Sequence, residues 1–203
     1  MDSDGESLTV YGSANAVATQ QFWLVDVGQD GTLAWRMLGR VISPKGALAV
    51  GETRFDARDY RDGVELEQSL HEALVGQGLL ADEAEALLNT WRQSYFRNPG
   101  LRLFFMVNPA WTNRVLPLNV SGNVSITRVM MGRIELVTPW QRELIGQITS
   151  GGIDPGAPPN QCPAYEQLGR FRNALLLDEI LRHPNARVEN WLFAWGVRAF
   201  APR

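Results

Sequence analysis

The sequence contains very little cysteine and histidine, which excludes several kinds of catalytic site. Among its 203 residues there is one cysteine, Cys162, so the chain can form neither an internal disulfide nor a metal cage of cysteines. Only two histidines are present, His71 and His183, and both fall at the middle or end of predicted helices. Histidine-based acid–base chemistry therefore has almost no candidate residues.

Clusters with metal-ligand spacing are also lacking. The aspartates Asp56, Asp59 and Asp62 follow one another closely, but they lack the alternate-position oxygens and the closing glutamate of a calcium loop. Arginines interleave with them and would pair with their carboxylates. We therefore predict no bound metal ion and no cofactor.

Lysine is almost absent, since Lys45 is the only one and the other eighteen basic residues are arginines. These arginines are spread along the whole chain, and the net charge is -3. A nucleic-acid-binding protein needs a concentrated positive surface, so the sequence argues against that class. We interpret the arginine bias as the codon usage of a GC-rich bacterial genome.

Long apolar runs are missing as well. No stretch of 18 apolar residues occurs, so no membrane-spanning helix is predicted. Residues 1–8 have neither the basic start nor the apolar core of a signal peptide. As written, the chain is expected in the cytoplasm, and the cell envelope is the alternative if the chain is a mature form or an excised domain.

The residues that are present indicate a packed core of helices and strands. Apolar residues recur at helical spacing within 64–97 and within 164–182. Thr138 and Gln141 form a capping box with Pro139 at the first helical position, which predicts a helix over 138–148. Residues 188–200 are apolar and rich in tryptophan; we favour a helix there over a strand.

Several stretches have the composition of strands. β-rich runs on both sides of Asp30-Gly31 predict a hairpin within 20–55. Residues 101–107 are almost continuously apolar, which indicates a strand buried on both faces. Residues 124–137 predict another long strand with a bulge at Gly132, and 111–120 a loop leading to an edge strand.

The predicted fold class is α+β, with a mixed, mostly antiparallel sheet covered by amphipathic helices. The strands come from residues 20–55 and 101–137, and the helices from 64–97, 138–148 and 164–182. We expect a flexible N-terminal tail over 1–15 and a single domain over 16–203. A Gly/Pro-rich connector is expected at 150–163.

Carboxylates are the remaining candidates for acid–base catalysis. Glu135 is the most informative acid because it lies within a predicted strand rather than on a charged helix. Arg133 is two residues away on the same face of that strand, so a structural ion pair between them is favoured over a catalytic acid. We assign no catalytic residue, and a hydrolase using Glu135 is the weakest of three hypotheses.

Aromatic and arginine side chains supply the candidate binding residues. Seven tryptophans occur in the chain, and half-exposed tryptophan is enriched at interfaces and ligand pockets. Plain core packing is the competing interpretation. The predicted binding residues are Trp91, Arg92, Tyr95, Trp111, Arg114 and Trp140.

Four stretches in the middle of the chain also resemble a known protein family. They are residues 90–96 (TWRQSYF), 100–103 (GLRL), 111–118 (WTNRVLPL) and 128–139 (RVMMGRIELVTP). In their residues and their order they are similar to a core shared by bacterial proteins of no established activity, over about residues 60–140. The resemblance implies a bacterial origin and one contiguous module, and it implies no catalytic residue.

Together these observations favour a non-enzymatic interaction or scaffold protein. Its partner would be another protein, or a second copy in a homo-oligomer, bound through a surface of aromatic and arginine side chains. The first alternative is a small-molecule-binding module with an aromatic-lined pocket and an arginine such as Arg92 or Arg114 holding an anionic group. The second alternative is the hydrolase using Glu135.

Overall fold

The structure is a computed structural model that describes residues 2–3, 7–11, 21–40 and 47–197. Contacts divide the chain into two units, residues 1–136 and 137–203. The single domain predicted over 16–203 stays a prediction.

The described strands of the first unit form two four-stranded sheets. In chain order they are β1 (Asp2–Ser3), β2 (Ser7–Tyr11), β3 (Phe22–Val27), β4 (Leu33–Met37), β5 (Gly39–Arg40), β6 (Ala47–Glu52), β7 (Gly100–Met106) and β8 (Met131–Glu135). One sheet has the order β1-β2-β6-β5 and the other β4-β3-β7-β8, and every described pairing is antiparallel.

The hairpin of β3 and β4 follows from the Asp-Gly sequence between them. Asp30 Oδ1 accepts hydrogen bonds from Thr32 N at 3.0 Å and from Thr32 Oγ1 at 2.7 Å. Gly31 has φ +82°, a conformation that glycine adopts without steric cost. The predicted hairpin is confirmed.

Helices cover one face of the β4-β3-β7-β8 sheet. They are α1 (Val64–Gly76) and α2 (Ala81–Tyr95), with a short 3-10 turn at Ala57–Asp59 before them and α3 (Pro109–Val115) after β7. The apolar stripes of α1 and α2 pack against every second residue of the strands, and this core includes Trp23, Val25, Phe104, Leu66, Leu70, Leu74 and Leu88. The α+β prediction is confirmed.

The opposite face of the same sheet packs against the other sheet. Leu8 of β2 is fully buried there, in a cluster with Phe22, Leu24, Leu101 and Leu103. The segment predicted to be a flexible tail over 1–15 contains β1 and β2. The burial of Leu8 holds β2 in this sheet. The rest of that segment, and residues 41–46 of the predicted strand region, lie outside the described residues.

The described part of the second unit is helical. It contains α4 (Pro139–Thr149), α5 (Pro163–Gln167), α6 (Arg172–Arg182) and α7 (Ala186–Ala194), with 3-10 turns at Pro159–Gln161 and Gly169–Phe171. Their apolar faces enclose a core that includes Leu144, Ile148, Tyr165, Leu168, Leu176, Val188, Trp191 and Leu192. Nowhere in the described ranges is a helix both long and apolar enough to cross a membrane.

The structure corrects several element boundaries. Residues 111–120 do not form only a loop, because Asn108 caps α3 and its Oδ1 accepts from Ala110 N at 2.8 Å. The strand predicted over 124–137 is limited to β8, and no register shift marks a bulge at Gly132. The helix predicted over 164–182 is interrupted at Gly169, whose φ is +78°.

The apolar run at 188–200 forms α7, which ends at Ala194. The favoured helix is therefore present over part of this stretch. Residues 198–200 lie outside the described residues.

Candidate functional site

A buried arginine ties the end of α2 to the sheet. Arg102 lies in the middle of β7 and is 2% exposed. Its Nη1 donates to the carbonyl of Tyr95 at 2.5 Å, and its Nη2 donates to those of Asn98 at 2.6 Å and Pro99 at 3.3 Å. The last carbonyls of a helix have no partner within it, and a cation there also complements the helix dipole. Arg102 therefore caps α2 from inside the sheet.

Glu135 balances the charge of Arg102. The two residues are opposite each other in the β7–β8 register, and Arg102 Nε donates to Glu135 Oε2 at 3.1 Å. Arg133 Nε lies 3.0 Å from Oε1, an ion pair by distance, although the angle is outside hydrogen-bond geometry. Glu135 is thus held between two guanidinium groups, an arrangement typical of a structural ion pair.

Two of the predicted aromatic residues extend this cluster. Arg133 Cζ lies 4.2 Å above the ring of Tyr95, a cation–π contact. Tyr95 in turn stacks on Trp91, one helical turn earlier, with ring centroids 5.5 Å apart. Trp91 and Tyr95 also pack against the helix-covered core, so both are half-buried.

Arg92 is engaged by an acid of the neighbouring helix. Its Nε and Nη2 donate to the two oxygens of Glu67 at 2.9 and 2.6 Å, which is a bidentate pair between α2 and α1. The hydrogen bonds to Glu67 raise the pKa of Arg92 above its ordinary value. This pairing joins the two helices and occupies the guanidinium that the pocket hypothesis would use for an anion.

The other predicted binding residues lie on exposed helix surfaces. Trp111 and Arg114 are on α3, three positions apart, which places them on one side of the helix. Trp111 is 43% exposed and Arg114 is exposed. Trp140 belongs to the second unit, in the first turn of α4, and is 53% exposed.

The chain that follows α3 exposes an unusual number of apolar side chains. We call residues 115–127 the apolar segment; it contains no charged residue. Its six aliphatic side chains are each between 44% and 52% exposed: Val115, Leu116, Leu118, Val120, Val124 and Ile126. Nearby Trp111 adds an exposed ring. Contiguous exposed apolar surface on a folded protein is typical of an interaction site.

A hydrogen bond joins the two ends of the apolar segment, whereas its middle residues make no backbone–backbone hydrogen bond to the described chain. Arg128 Nη1 donates to the carbonyl of Leu116 at 2.6 Å and lies 3.4 Å from Asn113 Oδ1. Within the described part of the chain, no backbone hydrogen bond involves residues 117–129. The segment is thus an arm whose base is closed by the Arg128 side chain.

Next to the arm, β8 presents an open sheet edge. Leu136 N donates to Leu101 O, and Val107 N donates to Met130 O, so the even-numbered residues of β8 bond to β7. The N–H and C=O groups of Met131, Arg133 and Glu135 therefore point outward. Among the residues that the structure describes, no backbone partner meets them. An unpaired strand edge is a template for another strand.

Two charged features were not predicted from the sequence. Arg102 interrupts the apolar run at 101–107, and a lone charge in a strand predicted to be buried is a signal that it needs partners. Asp26 on β3 accepts a hydrogen bond from Tyr60 Oη at 2.6 Å, and no local pattern links residues so far apart. Both features depend on strand register and loop packing.

Among the described residues, no group of three or more His, Cys, Asp or Glu side chains is placed to hold a metal ion.

The resemblance noted in the sequence has no counterpart in the comparisons with known proteins. No protein-family model matches the chain, and neither the curated proteins nor the solved structures include one that is similar to it.

Proposed function

We propose that this chain is a non-enzymatic interaction protein that binds a protein partner through the apolar segment together with Trp111 and Arg114 of α3. The observation that supports it is the exposure of the segment, where six aliphatic side chains stand within thirteen uncharged residues. When a partner covers exposed apolar groups, their removal from water favours binding by about 25 cal/mol per Å² of buried apolar surface.

The composition of this surface also suits a protein partner. Aromatic and arginine side chains are enriched at protein interfaces, and charged residues are depleted from their centres. Trp111 and Arg114 flank the uncharged segment on one side and Arg128 on the other. The arrangement is an apolar centre with a polar rim. The small-molecule and hydrolase hypotheses stay predictions. The residues they would use, Arg92 and Glu135, both have ionic partners within the chain.

Site-specific photocrosslinking tests the proposal. A photoreactive residue at Val120, in cells that naturally contain the gene, is expected to give one discrete crosslinked product. The product should disappear when Leu116 and Leu118 are also replaced by asparagine, because the substitutions remove the apolar contact but not the crosslinker. The control position is Leu181 on α6, which is 74% exposed and lies outside the proposed surface. Equal products from both positions would contradict the proposal.

A further inference from the structure

We propose that the partner adds an extended strand to the outer edge of β8, so that the β4-β3-β7-β8 sheet continues into the partner protein. The added strand is apolar at its centre, and the rest of the partner covers the apolar segment next to the edge. This inference rests on the proposed function, because it names the way in which that partner binds.

The outer edge is longer than β8 itself. Every second side chain lies on the helix-covered face of the sheet, in the order Thr127, Val129, Met131 and Arg133. Thr127 Cγ2 is 3.1 Å from the position of a Cβ added at Gly78, just after α1. Val129 and Met131 pack against the helix-covered core. Residues 127–135 therefore keep the side-chain alternation of one strand.

This edge has no strand partner on its outer side. The pairing of β7 with β8 uses the inward peptide groups and ends with the bond from Val107 N to Met130 O. The outward N–H and C=O groups of Met131, Arg133 and Glu135 meet no backbone partner among the described residues. Residues 117–129 likewise make no backbone–backbone hydrogen bond there. An added strand would supply these hydrogen bonds, which a helix or a flat apolar surface would not.

The other sheet edges that the structure describes offer less to a further strand. The outer strands β1 and β5 have two residues each. The outer edge of β4 begins with a reciprocal pair of hydrogen bonds between Leu33 and Arg61, both of 2.9 Å. Within the described part of the chain, β8 and its continuation are therefore the longest edge that is open to pairing.

Gly132 determines what kind of strand fits. It has no side chain, and the ring of Phe105 on β7 lies over it. The residue that an added strand places opposite Gly132 would therefore meet the tip of this aromatic ring. Ile134 follows on the same face and packs in the same cluster as Phe105. We expect the added strand to carry apolar residues opposite Gly132 and Ile134, two positions apart.

A second copy of this chain would not fill the whole surface. Two-fold pairing of two β8 edges would place the two apolar segments, which both precede β8, at opposite ends of the joined sheet. Each segment would then stay uncovered. A strand of a different protein can lie along the edge while the rest of that protein covers the apolar segment.

Mapped photocrosslinks test whether the partner binds as a strand. Photoreactive residues are placed singly at Thr127 and Met131 of the full chain, in cells that naturally contain the gene, and mass spectrometry identifies the partner residues that they reach. The two positions are four residues apart on one face of the proposed edge. Paired strands have the same rise per residue, so the two partner residues should be about four positions apart in one segment.

A matched pair of variants tests the hydrogen bonds of the edge. Met131→Pro removes an outward N–H, while Met131→Ala removes the same side chain and keeps the N–H. Proline is tolerated at a strand edge where the N–H does not bond within the sheet. With the photoreactive residue at Val120, we expect Met131→Pro to give about tenfold less crosslinked product than Met131→Ala, because the added strand loses a hydrogen bond and meets the proline ring. Circular dichroism checks that both variants are folded, and the spacing of the mapped crosslinks decides if Met131→Pro is not.

Three results would overturn the inference. They are equal yields from the two folded Met131 variants, partner residues that do not have the expected spacing, and a product of twice 22.7 kDa, which would show a second copy. Each of these leaves the proposed function standing, since a protein still binds the apolar segment. The absence of any specific product from Val120 would overturn both.

Discussion

The position of Asp26 in the fold changes the pKa of its carboxyl group. Its carboxylate lies half-buried on β3 and accepts the hydrogen bond from Tyr60. Burial raises the pKa of Asp26 above its ordinary 3.8, although the bond from Tyr60 and the charge of Arg102 act in the opposite direction. Burial and the bond to Asp26 raise the pKa of Tyr60 as well. Ionised Asp26 is therefore less favourable in the folded chain than in the unfolded one.

This shift predicts a pH dependence of stability that Asp26→Asn removes. As pH rises from about 3.8 through the raised pKa of the folded state, the wild type should lose free energy of unfolding relative to the variant. The sign follows because the folded state binds more protons than the unfolded state in that window. Asparagine keeps an acceptor for Tyr60 and does not titrate. Urea unfolding of both proteins between about pH 3.5 and 7 measures the difference.

Asp30 is the control for this experiment. Hydrogen bonds from Thr32 lower the pKa of Asp30 below 3.8, so its stabilising effect is present above that value and is lost as pH falls through the lowered pKa. The difference between the wild type and Asp30→Asn should thus rise with pH at the acidic end of the range and be flat above it, which is the opposite sign to Asp26. A difference for Asp26→Asn that does not fall as pH rises would contradict the assignment.

The ring of Phe105, on the neighbouring strand, leaves no room for a side chain at Gly132. A Cβ at Gly132 would lie 2.2 Å from Phe105 Cζ, and the Phe105 ring also contacts Phe22, with centroids 6.1 Å apart. Gly132→Ala is therefore predicted to lower the free energy of unfolding by about 1–3 kcal/mol. Gly76→Ala, at the end of α1 with no atom within 4 Å of the added Cβ, should raise it by about 0.5–1 kcal/mol. Urea unfolding compares the two, and equal shifts would contradict the steric explanation.

At the scale of elements, the ion pair of Arg102 and Glu135 holds α2, β7 and β8 in one arrangement. Arg102→Met is predicted to lower the free energy of unfolding by about 3–5 kcal/mol, because it leaves the carbonyls at the end of α2 and the Glu135 carboxylate without their donor. The Arg102→Met/Glu135→Met double variant should lose less than the sum of the two single variants, since the Glu135 carboxylate is then no longer left without Arg102. Urea unfolding of all four proteins gives this coupling, and additive losses would show that the pair is not coupled.

The elements that the sequence predicted correctly are those specified by neighbouring residues. The capping box of α4 is one, since Thr138 Oγ1 accepts from Gln141 N at 3.1 Å and Gln141 Oε1 accepts from Thr138 N at 3.0 Å. The helix α3 was not predicted, because residues 111–120 were expected to form a loop leading to an edge strand. Asn108 and Pro109, just before that stretch, are the N-cap and first position of the helix.

The candidate site was predictable only in part, for a physical reason. The four-residue spacing of Trp91 and Tyr95 predicts that their rings meet on one helix face, and they stack. The contact of Tyr95 with Arg133 depends on how α2 lies over β8, which is set by distant packing. Residues 124–130 have the alternation of a strand, but a strand also needs a partner, and the described residues of this chain supply none.

At the scale of the whole molecule, the second unit has a core of its own. Tyr165 packs edge-on against Trp191 with ring centroids 5.6 Å apart, and Trp191 Nε1 donates to the Ala157 carbonyl at 2.8 Å. Four helices contribute to this core. An independently folding domain requires such a core. A unit this small buries a lower fraction of its surface than a larger domain does.

We therefore predict that residues 137–203 fold when expressed alone. Thermal unfolding followed by helical circular dichroism and by tryptophan fluorescence should show one cooperative transition with the same midpoint. Leu176→Ala in this fragment should abolish that transition, because truncating a fully buried leucine costs about 2–5 kcal/mol and a unit this small has little stability to lose. Leu181→Ala, at a side chain that is 74% exposed, should leave it nearly unchanged. A fragment without a cooperative transition would contradict the prediction and support the single domain expected from the sequence, because the core of the second unit would then need the rest of the chain in order to form.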